Sequence, residues 1–544
     1  MKISEIRDLD GPNIFLLQPA IKLEIDMEEE EPQAAEARAQ AFALGESDGV
    51  EISLVPMTPS RVMTLLEEVV NVLHDRVALP RPTVTSREME APFHHALAFS
   101  WSHRSFGKGV AKIAYEIVAG AEVDTNAAIE RLRGILTEDE DQAPEMVTDI
   151  DRRLPIVGIT GTNGKTTTTR LLSSIMMHAG KRVGWTSSAG VYIQGECVLD
   201  GDFTGPAGAA RVFEETDLDV GVLETARGGI LLRGLGYESN DVSVVTNISA
   251  DHLGLHGVYS VEELARVKQV VTKVTRPDGM VVLNAGDPLV LGMLDGIRAR
   301  AFLIGRDGGN PAIREHLADG GWALWVERDH VKFGRGEKVE VLTDINDIPI
   351  AYGGRAVHML ENALCAAAAA LALGLDKDQV ASGLASFRNE LDQNRGRLNV
   401  FQVNDATVIV DFAHNFAGLR HLLTLARSFT SDGGKLMAVV GSAGDRPDEA
   451  LEELGQIGAT DADIVIVKDT QKYLRGREPG EIPAVILRGT TAAGVPDPPQ
   501  VEGEFAAFEW GMDHLEAGDA LAIMCIEEFD RIVEALEALG ARPA

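Results

Sequence analysis

Cysteine is scarce in this chain. There are three in 544 residues, Cys197, Cys365 and Cys525. They lie far apart with no metal-ligand spacing, which argues against a disulfide framework or a zinc site. The reading is of buried thiols in a reducing, cytoplasmic setting. Basic residues are also short: 50 Lys and Arg against 84 Asp and Glu give a net charge of −34. Such a chain repels nucleic acid and anionic membranes, so both are excluded as partners. Any anionic ligand must then be captured by local features. Long apolar runs are missing too. The longest, around residues 363–373, is alanine-rich and too short to span a bilayer, and reads as a close-packed buried helix. The opening MKISEIRDLDGPNIF has no apolar signal core, and no internal repeat or low-complexity tract is evident. What remains is ordinary globular composition, 45% apolar and 25% charged, with length for about three domains.

Against these absences one stretch stands out: Gly158-Ile159-Thr160-Gly161-Thr162-Asn163-Gly164-Lys165-Thr166-Thr167-Thr168. An apolar run (Leu154, Ile156, Val157) precedes it and a helical pattern (Leu171, Leu172, Ile175, Met176) follows. Strand, glycine-rich turn and helix start together make a phosphate cradle. Glycines let backbone N–H groups face the ligand, and the helix N-terminus adds partial positive charge. Lys165 is placed to reach outer phosphates, and the Thr166 hydroxyl to hold Mg²⁺. The spacing G-x-x-x-x-G-K-[ST] is not met, because Ile159 occupies the first glycine position.

Residues 1 to about 145 read as a small α+β domain, with helical runs at 62–73 and 110–117. An acidic stretch from Glu138 to Asp151 reads as a linker. From 154 to 388, strand candidates at 156–159, 220–223, 242–246, 280–283 and 301–304 alternate with helical stretches, the pattern of a mainly parallel sheet covered by helices. A second α/β unit, 395–544, has strand candidates at 407–410, 435–440, 464–467 and 520–524. Glu224 ends an apolar run, where a carboxylate beside a phosphate loop suits a hard cation. At the next strand end Asn247, Asp251 and His252 fall together, and a neutral imidazole can ligate a second cation. Ser260-Val261-Glu262-Glu263 reads as a capping box opening a helix over 262–272 that contains Lys268.

G-T-N-G-K-T-T resembles the ATP loop of the Mur ligases and related enzymes. The run Glu224-Thr225-Ala226-Arg227-Gly228-Gly229 is most similar to the cyanophycin synthetase branch. The resemblance covers 154–544, and more weakly the N-terminal residues 1–14. It implies that Asn247 to Gly254 is the N-x-x-x-D-H-L-G motif and that Lys268 carries a carbamate that turns it into an oxygen ligand. It also implies that Asn284-Ala285-Gly286-Asp287-Pro288 is the family's N-A-x-D-P turn, whose Asp287 caps a helix. By the same resemblance Asn362 lies near an adenine, Arg397 reaches ATP on domain closure, and Asp411 and His414 of Asp-Phe-Ala-His-Asn approach ribose and phosphates. Phe416 there replaces the usual proline. Arg475 and Arg477 are similar to residues that place an incoming amino acid.

The expectation is therefore an α/β chain with a central P-loop parallel-sheet domain and a C-terminal Rossmann-like domain after an α+β accessory domain. Its implied activity is ATP-dependent amide ligation through an acyl phosphate, adding an amino acid to an acidic peptide-like acceptor. ATP binding falls to Gly161, Thr162, Asn163, Gly164, Lys165, Thr166, Thr167, Asn362, Arg397, Asp411 and His414. Two Mg²⁺ sites are expected on Thr166, Glu224, His252 and Lys268. The ATP-grasp domain expected between the N-terminal and Mur-like parts of that branch has no room here, which leaves a separate ATP-grasp partner or a homo-oligomer open. The alternatives are glutamate ligation to a folate-like or peptide acceptor, and a non-catalytic nucleotide-binding subunit.

Overall fold

The structure is a computed structural model that describes residues 1–29, 42, 58–121, 123–137, 143–251 and 253–543. Three sheets organise it. The first is antiparallel throughout, in the spatial order Lys2–Leu9, Ala20–Asp26, His94–Ser100, Val84–Glu88. Its apolar face (Ile21, Leu23, Ile25, Leu97, Phe99) packs against the helices Pro59–Arg76 and Arg104–Val118. The two helices cover the helical runs expected at 62–73 and 110–117.

The central sheet has eleven strands. From Trp322–Glu327 through Arg300–Gly305, Thr275–Asn284, Asn240–Val245, Ile156–Thr160 and Val220–Glu224 to Val183–Ser187, neighbours run parallel. Among them Ile156–Thr160, Val183–Ser187 and Val220–Glu224 are buried at every residue, and strands covered on both faces read as unbroken apolar runs. Antiparallel strands extend both edges: Gly190–Ile193 and Glu196–Asp200 on one side, His330–Arg335 and Lys338–Asp344 on the other. None of these edge strands was expected from the sequence, because their short alternating runs carry little apolar signal. The strand Ile156–Thr160 sits where the chain order reverses, between Val220–Glu224 and Asn240–Val245. In open parallel sheets ligands bind at such a reversal, outside the carboxyl ends of the strands.

The third sheet runs Gln500–Val501, Ile464–Lys468, Leu436–Val440, Ala520–Met524, Ala406–Asp411 in parallel. Asn399–Val403 and Arg542–Pro543 follow antiparallel. The alanine-rich run is the helix Val357–Ala372, buried along most of its length against the helix Lys165–His178. Small side chains let the two backbones approach closely.

Three local expectations need correction. Cys197 is exposed, on an edge strand; only Cys365 and Cys525 are buried. The acidic linker is docked where it is described. Val147 N donates to Gly236 O at 3.0 Å, Glu238 N donates to Val147 O at 2.9 Å, and Arg152 pairs with Asp241 at 2.9 Å. Residues 138–142 of it lie outside the described residues. The capping box is half made: Ser260 Oγ accepts from Glu263 N at 3.1 Å, but the Glu263 carboxylate turns instead to Arg87 and Arg266. Phe416 opens its helix without proline, because Asn415 caps it by accepting from Gly418 N at 2.9 Å.

A buried ion pair closes the carboxyl edge of the third sheet. Lys468 and Glu504 are both fully buried and bonded to each other. Glu504 also accepts from the backbone N–H groups of Ile526, Glu527 and Glu528 at 2.8–2.9 Å. Burial alone would raise its pKa, but Lys468 and these donors overcome that and hold it at about 2. A depressed carboxylate stabilises the fold above its unfolded value, and the contribution fades as pH falls through the folded value. Wild-type stability should therefore drop between pH 4.5 and about 2. Lys468→Met should cost about 3–5 kcal/mol at pH 7, because it strands a buried carboxylate. It should also lose less than wild type on acidification across that window. Urea unfolding at pH 7 and pH 3 checks both; a variant as stable as wild type at pH 7 would contradict them.

Candidate active site

The phosphate loop is fixed from one side by the segment after Asn240–Val245. Thr162 N donates to Asn247 O at 2.8 Å, and Asn163 N to Asn247 Oδ1 at 3.0 Å. In return Asn247 Nδ2 and Thr246 Oγ1 donate to Asn163 O at 3.0 and 2.6 Å. Ser249 N donates to Thr162 Oγ1 at 3.0 Å. Gly164 has φ +85°, and a Cβ there would meet Asn362 Oδ1 at 2.1 Å, so both backbone and neighbour require glycine. The helix Lys165–His178 starts immediately after it.

Lys165 folds back over its own loop, donating to Gly161 O at 3.1 Å and Thr162 O at 2.9 Å. Burial lowers its pKa, opposed by Glu224 and Asp251. Thr166, one residue on, donates from Oγ1 to Glu224 Oε1 at 3.2 Å and lies 3.3 Å from Ser188 Oγ. Thr167 lines the same cleft. Glu224 is buried at its strand end, and Ser188 N donates to its other oxygen at 3.4 Å. Burial raises the Glu224 pKa against the pull of Lys165, Arg397 and Thr166. Hydroxyl and carboxylate oxygens side by side fit a hard divalent cation.

The third sheet supplies the opposite wall. Arg397 Nη2 donates to Thr166 Oγ1 at 3.4 Å, and its guanidinium lies over the Phe412 ring at 5.3 Å. Asp411, at the carboxyl end of Ala406–Asp411, accepts from Leu398 N at 2.7 Å, and burial raises its pKa. His414 Nδ1 donates to Phe412 O at 3.0 Å. Asn415 Nδ2 donates to Asn163 Oδ1 at 3.1 Å, tying the capping residue of one part to the phosphate loop of another. Between the walls is a cleft of about 590 Å³, which Asn362 also lines. Its basic side chains, Lys165, Arg170, Arg395, Arg397, Arg446 and Arg475, concentrate positive charge inside an acidic chain.

Of the two other expected ligands, only Lys268 is described. His252 lies outside the described residues. Lys268 is buried and donates from Nζ to Gly161 O at 2.6 Å, beneath the loop. Burial, then Lys165, push its amine well below the lysine range. Asp251 pairs with Arg446 at 3.3 Å and lies 3.9 Å from His414. Among the described residues no three His, Cys, Asp or Glu side chains cluster as a metal site. Asp287 caps the helix Pro288–Leu291 as the resemblance implied, and it also accepts from Ile248 N at 2.6 Å. Arg475 lines the cleft. Arg477 does not; it is taken up by Gly444 O, Arg446 O, Asp448 and Glu481.

Sequence reasoning gave no role to Ser188, Arg170, Asn415 or His421. Ser188 follows the strand Val183–Ser187, which was not expected. Asn415 could have been found from its place as a polar residue directly before an apolar helical pattern. His421 stacks on His358 across the cleft, with ring centroids 4.3 Å apart; nothing in its sequence neighbourhood marks it.

Much of the chain matches known proteins. Residues 159–370 match the Mur ligase middle domain and residues 396–525 the Mur ligase, glutamate ligase domain. Cyanophycin synthetase of Synechocystis sp. is 42% identical over 337 residues, covering 62% of this chain and 38% of the relative. The Trichormus variabilis cyanophycin synthetase is 38% identical, covering 71% and 43%. The chain thus spans about two fifths of the length of these relatives. A UDP-N-acetylmuramoyl-L-alanyl-D-glutamate--2,6-diaminopimelate ligase of Clostridium acetobutylicum is 27% identical, covering 62% and 66%. Among solved structures, E. coli FolC in complex with DHPP and ADP superposes with a TM-score of 0.53 at 21% identity, covering 71% of this chain and 89% of the other, a likeness of fold. The two family models together take in more than half of the residues, and the chain belongs to the Mur ligase family.

Proposed function

We propose that this protein is an ATP- and Mg²⁺-dependent amide ligase that adds an amino acid to an acidic, peptide-like acceptor. The observation that carries the reading is the meeting of Lys165, Thr166 and Glu224 from the central sheet with Arg397 from the third sheet across one cleft. A phosphate loop alone would suit many nucleotide enzymes. A loop faced by an arginine from a second parallel sheet suits a reaction that runs between two closing parts.

In this reading the loop residues Gly161 to Thr167 hold the phosphates of ATP, Asn362 the base, and Asp411 and His414 the ribose and phosphates from the other wall. An acceptor carboxylate oxygen attacks the γ-phosphorus, ADP leaves, and an acyl phosphate forms. The amine of the amino acid then attacks the acyl carbon, phosphate departs, and the amine proton goes to solvent or a cleft base. Lys165 swings from Gly161 O and Thr162 O to the transferring phosphoryl group, and Arg397 adds a second positive charge there. Thr166 and Glu224 would hold Mg²⁺, which neutralises phosphate charge when bound. Closure of the third sheet excludes water that would hydrolyse the acyl phosphate. A second Mg²⁺ site on His252 and a Lys268 carbamate is part of the proposal. The displaced pKa of Lys268 favours the neutral amine that CO₂ requires, and the carbamate N–H keeps a donor for Gly161 O.

The acceptor class is drawn from the relatives at 38–42% identity, which are cyanophycin synthetases. Likeness to folate ligases is confined to fold at 21–22% identity, and the retained Lys165, Thr166 and Glu224 speak against a non-catalytic subunit. We propose the divisions 1–145, 154–388 and 395–544, with the first acting on the acceptor or on a partner that makes it. One phosphate loop implies one amide-forming step. Segment 143–153 leads directly onto the central sheet, and a separate ATP-grasp partner that builds the acceptor backbone is part of the proposal.

Lys165→Ala should cut ligation by at least about a thousandfold with the fold intact, because its charge is needed only on the transferring phosphate. ADP release in the presence of ATP, Mg²⁺, amino acids and acidic peptides measures this; unchanged turnover would remove the phosphate-loop assignment. Glu224→Ala should raise the Mg²⁺ concentration for half-maximal rate about tenfold or more, and Thr166→Ala should add little to it, since both act on one ion. Additive losses would separate the two residues. With ¹³C-bicarbonate, a carbamate carbon resonance should appear and vanish in Lys268→Ala; its persistence in that variant would clear Lys268 of the role.

A further inference from the structure

Glu90 stands outside the cleft, in the turn after the strand Val84–Glu88 of the first sheet. Its carboxylate accepts from Tyr259 N at 2.5 Å and Ser260 N at 2.9 Å, and from Ser260 Oγ. Ser260 is the N-cap of the helix Val261–Lys273, and its Oγ accepts in turn from Glu263 N. Glu263, with a side chain only 2% exposed, pairs with Arg87 of the first sheet. Met89 is buried beside Gly257, where a Cβ would meet its methyl carbon at 3.1 Å. These contacts meet at one joint. On one side of it is the loop from Thr246 to Ser260, which staples the phosphate loop and carries Asp251. On the other is the helix that carries Lys268 under Gly161 O. From Ser260 to Lys268 is eight residues, about 12 Å of rigid helix, so a displaced cap displaces Lys268.

We propose that Glu90, supported by Arg87, is a positioning residue for Asp251 and Lys268, so that the first sheet is a working part of the catalytic apparatus and not only an acceptor-holding module. The helix lacks a reciprocal cap of its own, because Glu263 is committed to arginines. Glu90 does from another sheet what Glu263 would do in a complete capping box. The first sheet docks firmly enough to bear this. Asp10 N donates to Arg233 O at 2.7 Å and Leu235 N to Pro12 O at 2.8 Å. A Cβ on Gly11 would lie 1.8 Å from Leu235 O, so the two backbones are in direct contact.

The catalytic half of this inference rests on the ligase reading; the structural half does not. Full-length wild type, Glu90→Ala, Glu90→Gln and Arg87→Ala are compared by hydrogen exchange and by steady-state kinetics. In Glu90→Ala, amides over 257–272 should exchange about tenfold faster or more. The kcat should fall roughly 10- to 100-fold with KM for the amino acid little changed, as expected for misplaced groups that do not bind it. Glu90→Gln, whose amide oxygen still accepts both N–H groups, should recover most of the rate. Faster exchange with unchanged kcat would overturn the proposal, and so would unchanged exchange. If wild type turns over no acceptor, the ligase reading fails, and AMPPNP with Mn²⁺ decides instead. Protection of 257–272 by that pair in wild type but not in Glu90→Ala supports positioning; equal protection in both overturns it.

Discussion

The side chain of Asn247 accepts from the phosphate loop and donates back to it, at Asn163 N and Asn163 O. A glycine-rich loop between a strand and a helix has no stiffness of its own, and Gly164 sits at positive φ against Asn362 with no spare room. The loop keeps its shape because the neighbouring strand end is bonded to it along Thr246, Asn247 and Ser249. That neighbour is available only because the chain reverses order around Ile156–Thr160, which sets three strand ends side by side. Glu224 is then placed by the sheet itself, and Thr166 by the helix that starts at the loop. A site built on strand ends holds its groups more closely than one built on free loops.

Charge follows from the same arrangement. A net charge of −34 opposes an anionic nucleotide at long range, and the cleft answers locally with lysine and arginines from two sheets. Burial displaces the Lys165 amine, and that of Lys268 beneath the loop, downward, and raises the Glu224 carboxyl against the pull of Lys165 and Arg397. Lys165, bonded to its own loop carbonyls, is held ready for a phosphate that offers stronger acceptors. Displaced pKa values of opposite sign in one cleft are a mark of chemistry more than of fold stability.

Much of this was legible in the residues. Most of the parallel strands were visible because burial on both faces makes them continuous apolar runs, though Val183–Ser187 and Trp322–Glu327 were not, and Glu224 was visible because it ends one. The loop was visible because its glycines, Lys165 and Thr166 leave few other uses. The edge strands 190–193, 196–200, 330–335 and 338–344 were not, since half-exposed hairpins lack a strong period. Contacts across sheets were also hidden. Asn415 on Asn163, His421 on His358 and Glu90 on Ser260 join residues from 63 to 252 positions apart in the chain, and no local pattern records such pairs. The capping box misled for a related reason: Glu263 is local to Ser260, but an arginine from a distant strand competes for it and wins, because a buried carboxylate needs a cation more than it needs an amide.

The central claim is that a carboxylate is activated by phosphoryl transfer in the cleft between Lys165 and Arg397. The direct measurement is the fate of oxygen. An acidic peptide acceptor labelled with ¹⁸O in its carboxylates is turned over with ATP, Mg²⁺ and amino acid, and the released phosphate is analysed by mass spectrometry. An acyl phosphate passes one carboxylate oxygen to the phosphate it loses, so one ¹⁸O per phosphate released is predicted. Amide product formed while the released phosphate carries oxygen only from ATP and water, the lost label leaving on another product, would contradict the account.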